Sequence, residues 1–122
     1  MLSGERVSFS SGNQLYDFTY IDDVVNAIVR ILTDGVPGKT YYVGSPRCRP
    51  LKDYITLIRD SIDPGISRHF GEISSSDYSL DIQDYDISDL SKDTGYESNV
   101  PFEKGILKTI DVLKDKLGKV DF

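Results

Sequence analysis

Few side chains in this sequence have the types and spacing for chemistry. The single cysteine, Cys48, stands between Arg47 and Arg49. Cationic neighbours favour the thiolate, which is the reactive form of the group. No histidine adjoins it to act as base, so Cys48 reads as an inert thiol. The single histidine, His69, lies between Arg68 and Phe70 with no carboxylate or nucleophile next to it in sequence. It reads as a surface or partly packed imidazole rather than a general base. Asp77, Asp81, Asp84, Asp86 and Asp89 invite a metal ion. A calcium loop opening at Asp84 fails, because glycine is required at its sixth position and glutamate at its twelfth, where the chain has Asp89 and Gly95. The better reading is a solvated acidic face with one helix cap. What remains is the run Gln14-Leu15-Tyr16-Asp17-Phe18-Thr19-Tyr20, with three rings on one side of an extended segment, followed by Asp22 and Asp23.

Several absences narrow the chemistry further. Binding a dinucleotide pyrophosphate on backbone N–H groups requires closely spaced glycines between a strand and a helix, and no such cluster occurs here. There is no phosphate loop with its lysine, no Cys/His cluster at metal spacing, and no tyrosine followed four positions later by lysine. A formal net charge of −6 argues against nucleic acid or an anionic membrane surface as partner, since both attract a basic footprint. The one local basic patch, Arg47, Arg49 and Lys52, reads as solvation of a helix start. No apolar run approaches the ~20 residues that span a bilayer, so no membrane segment is expected. Met1–Arg6 does not open like a secretory signal. A lone thiol suits a reducing compartment, and the expectation is a cytoplasmic protein.

The elements that must position these residues follow from periodicity. Val7 and Phe9 alternate with polar neighbours in Arg6–Ser10, which predicts a short strand before the turn Ser11-Gly12-Asn13. Tyr16–Tyr20 reads as a second extended piece. Val24, Val25, Ile28, Ile31 and Leu32 recur at helical spacing, with Asp22 and Asp23 at the helix start and Gly35 at its end. Thr40–Gly44 is short, β-branched and aromatic, as a buried strand would be. Leu51, Tyr54, Ile55, Ile58 and Ile62 mark a helix that Pro64-Gly65 stops. Arg68–Ile73 suggests another strand, Ser74–Asp77 a loop, and Asp86–Lys92 a short helix closed by Gly95. A last helix begins near Pro101, carries Phe102, Ile106, Leu107, Ile110, Leu113 and Leu117 inward, and ends at Gly118.

Four pieces in this order resemble one family. Gln14 to Ala27, containing Ile21-Asp22-Asp23-Val24-Val25 before a helix, is similar to a segment of the extended short-chain dehydrogenase/reductases, also called the NAD-dependent epimerase/dehydratase family. Gly38 to Ser45 resembles the late core strand of that family, and Pro50 to Ile55 the helix start after it. Asp86 to Leu90, Thr94-Gly95-Tyr96 and Val100 to Ile106 resemble its C-terminal ending. Together the four cover almost the whole chain.

The resemblance implies an α/β fold: a small domain of about four helices and a few short strands, the C-terminal part of a Rossmann-type extended fold. Residues 1–122 would be a single substrate-binding portion. The NAD-binding part, with its glycine-rich loop and Tyr-x-x-x-Lys pair, would lie upstream in such enzymes. Gln14, Tyr16 and Phe18 would then line a nucleotide-sugar pocket, and the intact enzyme would use NAD(P), none of it bound by this portion. Many relatives carry arginine where this chain has Tyr16, and a second family arginine is absent too, with Ser76 near its expected place. A phenol is a poor substitute for a bidentate phosphate contact. Read from the residues alone, Tyr16, Phe18 and Tyr20 could instead be core rings, each worth roughly 1.5–3 kcal/mol when buried. Tyr20 fits the core, Phe18 fits core or pocket, and Gln14 could bind substrate or satisfy the turn after Asn13. The alternative function is a free-standing, non-enzymatic module that self-associates, and a homo-oligomer is expected in either case.

Overall fold

The computed structural model describes residues 1–74 and 80–118. Strand β1 (Leu15–Tyr16) precedes helix α1 (Ile21–Asp34), and β2 (Arg49–Pro50) leads directly into α2 (Leu51–Ile62). A 3₁₀ turn (Ile82–Asp84), α3 (Ser88–Thr94) and α4 (Phe102–Gly118) complete the described elements, and β1 pairs with β2. The expected α/β composition of four helices with a few short strands therefore holds. The expected loop at residues 75–77, with Ser76 and Asp77, lies outside the described residues.

The chain divides into two compact units. The first contains the described residues of Met1–Gln14, Pro50–Tyr78 and Glu103–Phe122. Its buried side chains are Tyr54 and Ile55 of α2 and Ile110 of α4. The segments predicted as strands do meet, through one parallel bridge, Ser8 to His69, and a few turn-like backbone bonds from residues 71–73 to Phe9 and Ser10, without forming a ladder. Phe9 N–H donates to His69 O at 2.8 Å, and the Phe9 and Phe70 rings lie 5.6 Å apart. In α4, Ile110 packs inward as expected, whereas Leu107 is half exposed. Leu113 and Leu117, together with Val7, Phe9, Ile55 and Ile58, line an open hollow of about 560 Å³.

The second unit contains Leu15–Arg49 and the described residues of Ser79–Phe102. Ala27, Leu90 and Tyr96 form its core, with Ile31, Tyr41, Val43 and Ile87 packed around them. The face that α1 buries differs from its apolar stripe. Asp23 and Ala27 are buried, while Ile21, Val25, Ile28 and Leu32, spaced four, three and four apart, are 49–80 % exposed. The reason lies in what α1 must hold. The Asp23 carboxylate accepts the N–H groups of Asn99 (3.1 Å) and Val100 (3.0 Å) and the Ser98 hydroxyl (3.0 Å). Such charge-assisted bonds make a buried carboxylate tolerable. Asp23 thus sits in the first turn as the sequence predicts, but it anchors residues 98–100 instead of capping its own helix.

Thr40–Gly44 forms no strand. Its side chains and one carbonyl fix it instead. The Tyr41 hydroxyl donates to Asp93, the Tyr42 hydroxyl to Asp17, and Gly44 O accepts from the Tyr96 hydroxyl at 3.1 Å. β-Propensity reports a fit to a pleated surface, but a strand also requires a neighbouring backbone, and this segment pairs with none among the described residues. The segment Tyr16–Tyr20 likewise contributes only its first residue to a ladder.

Candidate functional site

Tyr16 and Phe18 come together in the second unit. Their rings stack with centroids 5.6 Å apart and planes 12° from parallel, and Phe102 lies at a tilt 6.2 Å from Phe18. Offset stacking of this kind adds roughly 0.5–1.5 kcal/mol beyond area burial. Tyr16 is 42 % and Phe18 45 % exposed, so neither is a core ring. Tyr20 is half-buried. Gln14 belongs to the first unit, where its side-chain amide donates to Ser10 Oγ at 3.2 Å and its carbonyl accepts the Leu51 N–H at 2.9 Å. These bonds tie Gln14 across the turn to Ser10 and to Leu51.

Asp17, between the two rings, is a partner that the sequence does not advertise. Its Oδ2 accepts the Tyr42 hydroxyl and the Ser45 N–H, each at 2.8 Å, and its Oδ1 accepts the Ser45 hydroxyl at 2.7 Å. Burial, reinforced by the bond to Asp17, pushes the Tyr42 phenol well above its ordinary range, so it stays a donor. The Tyr85 ring meets Tyr42 edge-on at 5.9 Å, and its hydroxyl donates to Leu15 O at 2.8 Å. Cys48 is half-buried near the Tyr42 and Tyr85 phenols.

The remaining candidates resolve into structural roles. Asp81 and Asp84 cap the 3₁₀ turn reciprocally, and Asp86 accepts the Ser88 N–H at 2.9 Å at the start of α3. That backbone bond holds the Asp86 carboxyl below its usual value. Asp89 and Asp93 pair with Lys39 at 3.5 and 2.6 Å. Among the described residues no three His, Cys, Asp or Glu side chains gather as metal ligands. In the first unit His69 acquires the carboxylate that its sequence neighbours lack, with Glu72 at 3.4 Å. Yet Glu72 accepts Ser8 Oγ (2.5 Å) and Arg6 (2.6 Å), and the Ser8 bond chiefly holds its carboxyl low. Because the serine donates to the carboxylate and not to the imidazole, the cluster lacks the nucleophile–base order of an acyl-transfer triad.

Among the described residues, α1, α2, α3 and α4 are entered from Tyr20, Pro50, Ile87 and Pro101, and no glycine-rich turn opens a helix. The side chains lining the hollow in the first unit are apolar apart from Ser3 and Thr109.

Comparison with known proteins places these observations. Residues 1–44 match the NAD dependent epimerase/dehydratase family. CDP-abequose synthase of Salmonella typhimurium is 34 % identical over 105 residues, covering 82 % of this chain and 35 % of that protein. A dTDP-glucose 4,6-dehydratase of Escherichia coli is 30 % identical over 115 residues, covering 84 % of this chain and 31 % of its own length. The chain thus spans about a third of the curated relatives it matches. In fold it resembles UDP-glucose 4-epimerase of Thermotoga maritima, solved with UDP-glucose, with a TM-score of 0.82 and 23 % identity over 96 % of this chain and 37 % of that one. No helix among the described residues is long and apolar enough to cross a membrane. From the sequence match and from relatives that align along most of its length, the chain belongs to the NAD-dependent epimerase/dehydratase family.

Proposed function

We propose that this chain is the substrate-binding portion of a nucleotide-sugar epimerase or dehydratase, and that it catalyses nothing alone. NAD(P) is held by polypeptide outside these residues, where it accepts and returns a hydride. The observation that carries this reading is the stacked, half-exposed pair Tyr16 and Phe18, set within residues 1–44, which match the family. Aromatic faces of this kind take a nucleobase, at roughly 1–3 kcal/mol per stacked base. Two further features fit a portion that works against another surface. The stripe Ile21, Val25, Ile28 and Leu32 is apolar and exposed, and Thr40–Gly44 has strand composition without a strand partner among the described residues. Gln14 enters this reading only through the turn it stabilises.

The test is titration of the chain with UDP-glucose, CDP-glucose and dTDP-glucose by calorimetry, beside Phe18→Ala. One of the three should bind, and Phe18→Ala should weaken it by about tenfold or more. No binding of any by the chain or by its complex with an NAD-binding partner overturns the reading. A second reading, a self-associating module without enzymatic partner, is favoured by the same exposed stripe on α1.

A further inference from the structure

Tyr16 and Phe18 are half-exposed rings beside a ladder only two residues long. What fixes the residue between them is a carboxylate with four donors. Tyr42 and Ser45 supply three of these bonds from 25 and 28 positions along the chain, and Thr19 Oγ1 adds a longer one at 3.4 Å. The loop that carries Tyr42 and Ser45 is itself tied to the core. Gly44 O accepts the hydroxyl of Tyr96, which is fully buried. Gly44 also packs so tightly that a Cβ there would collide with the Asp17 carboxylate and the Tyr42 ring. A continuous path thus runs from the buried Tyr96 through Gly44 and Ser45 to Asp17, and on to the flanking rings. Hydrogen bonds to an ionised acceptor are about twice as strong as neutral ones, and a bond network satisfied on every side holds a single geometry.

We propose that Asp17 is the positioning residue of the aromatic pair: by gripping Tyr42 and Ser45 it sets the stacked orientation of Tyr16 and Phe18 that a ligand meets. This rests on the reading that Tyr16 and Phe18 contact ligand, and one arm of the experiment is independent of that reading. Offset stacking displaces the Phe18 ring protons upfield in the proton NMR spectrum by ring current from Tyr16. In Asp17→Ala those resonances should return toward free phenylalanine values, while the buried Tyr96 resonances keep their positions. The double variant Tyr42→Phe/Ser45→Ala removes the two long-range hydroxyl donors and leaves the Ser45 N–H and Thr19; it alters no residue of β1 and should shift the Phe18 resonances in the same direction even if Asp17→Ala fails to fold. Both variants should weaken UDP-glucose by about tenfold or more if that is the sugar bound, while Asp17→Asn, which keeps an acceptor for the Ser45 hydroxyl, should lose less. Phe18 resonances that stay in place in the double variant overturn the positioning role. Should they move while neither the parent chain nor Phe18→Ala distinguishes any nucleotide sugar, positioning stands and the ligand reading falls.

Discussion

Asp93 illustrates how a single carboxylate ties distant residues together. It accepts Lys39 Nζ at 2.6 Å and the Tyr41 hydroxyl at 2.8 Å, and its side chain is only 14 % exposed. The lysine bond, then the phenol, holds its carboxyl below the ordinary value, and the same bond to Asp93 raises Lys39. A carboxyl with a depressed folded pKa contributes stability above its unfolded value that is lost as pH falls through the folded one. For a lysine raised on folding, the contribution is present below the unfolded value and lost at higher pH. The tie should therefore be intact between about pH 4 and pH 10 and weaken outside that window. Thermal midpoints measured from pH 6 down to pH 3 should fall more steeply for the natural chain than for Asp93→Asn. Equal slopes would mean that Asp93 is not perturbed by folding.

Among the elements, α3 depends on its ending. Gly95 closes it at φ 69°, and its N–H donates to Ser91 O at 2.9 Å. A left-handed residue with a Cβ costs roughly 1–2 kcal/mol. Here the added carbon would also sit 3.4 Å from Arg30 Nη1, whose own bond to Thr94 O (3.1 Å) joins α1 to the end of α3. Gly95→Ala should lower the unfolding free energy by about 1–2 kcal/mol, read as a smaller urea midpoint at unchanged slope. A midpoint within error of the parent would show that the helix end relaxes to another conformation. Gly95 and the helices were legible in the sequence because a period of 3.6, a stop signal and a cap are all local. The strands were not. Val7 and Phe9 or Tyr41 and Val43 have the right composition, but a ladder depends on which backbone lies alongside, and that is a long-range fact. The candidate site divides the same way. Tyr16 and Phe18 were visible as alternate aromatics, whereas the grip of Asp17 on Ser45 and of Asp23 on residues 98–100 joins positions that no spacing rule connects.

For the molecule as a whole, the stripe Ile21, Val25, Ile28 and Leu32 is the feature most at odds with a chain that works alone. Leu32 is 80 % exposed and Ile21 61 %, and exposed apolar side chains on one helical face are the kind of surface on which another can dock. Within the proposed function that surface is the NAD-binding polypeptide; in its absence a second copy of α1 is the nearest match, since a helical stripe can pack against itself about a two-fold axis. The net charge of −6 opposes such pairing, and salt screens that repulsion over roughly 10 Å at 0.1 M. Self-association should accordingly strengthen as salt is raised. Sedimentation velocity should show the apparent mass of the chain rising with concentration, and more so at higher salt. Ile28→Lys/Leu32→Lys should hold it at monomer mass. Because both side chains are exposed, those substitutions should shift stability by no more than about 0.5 kcal/mol each. A mass that stays monomeric throughout would remove self-association from the functions open to this chain and leave the cofactor-binding polypeptide as the surface that covers α1.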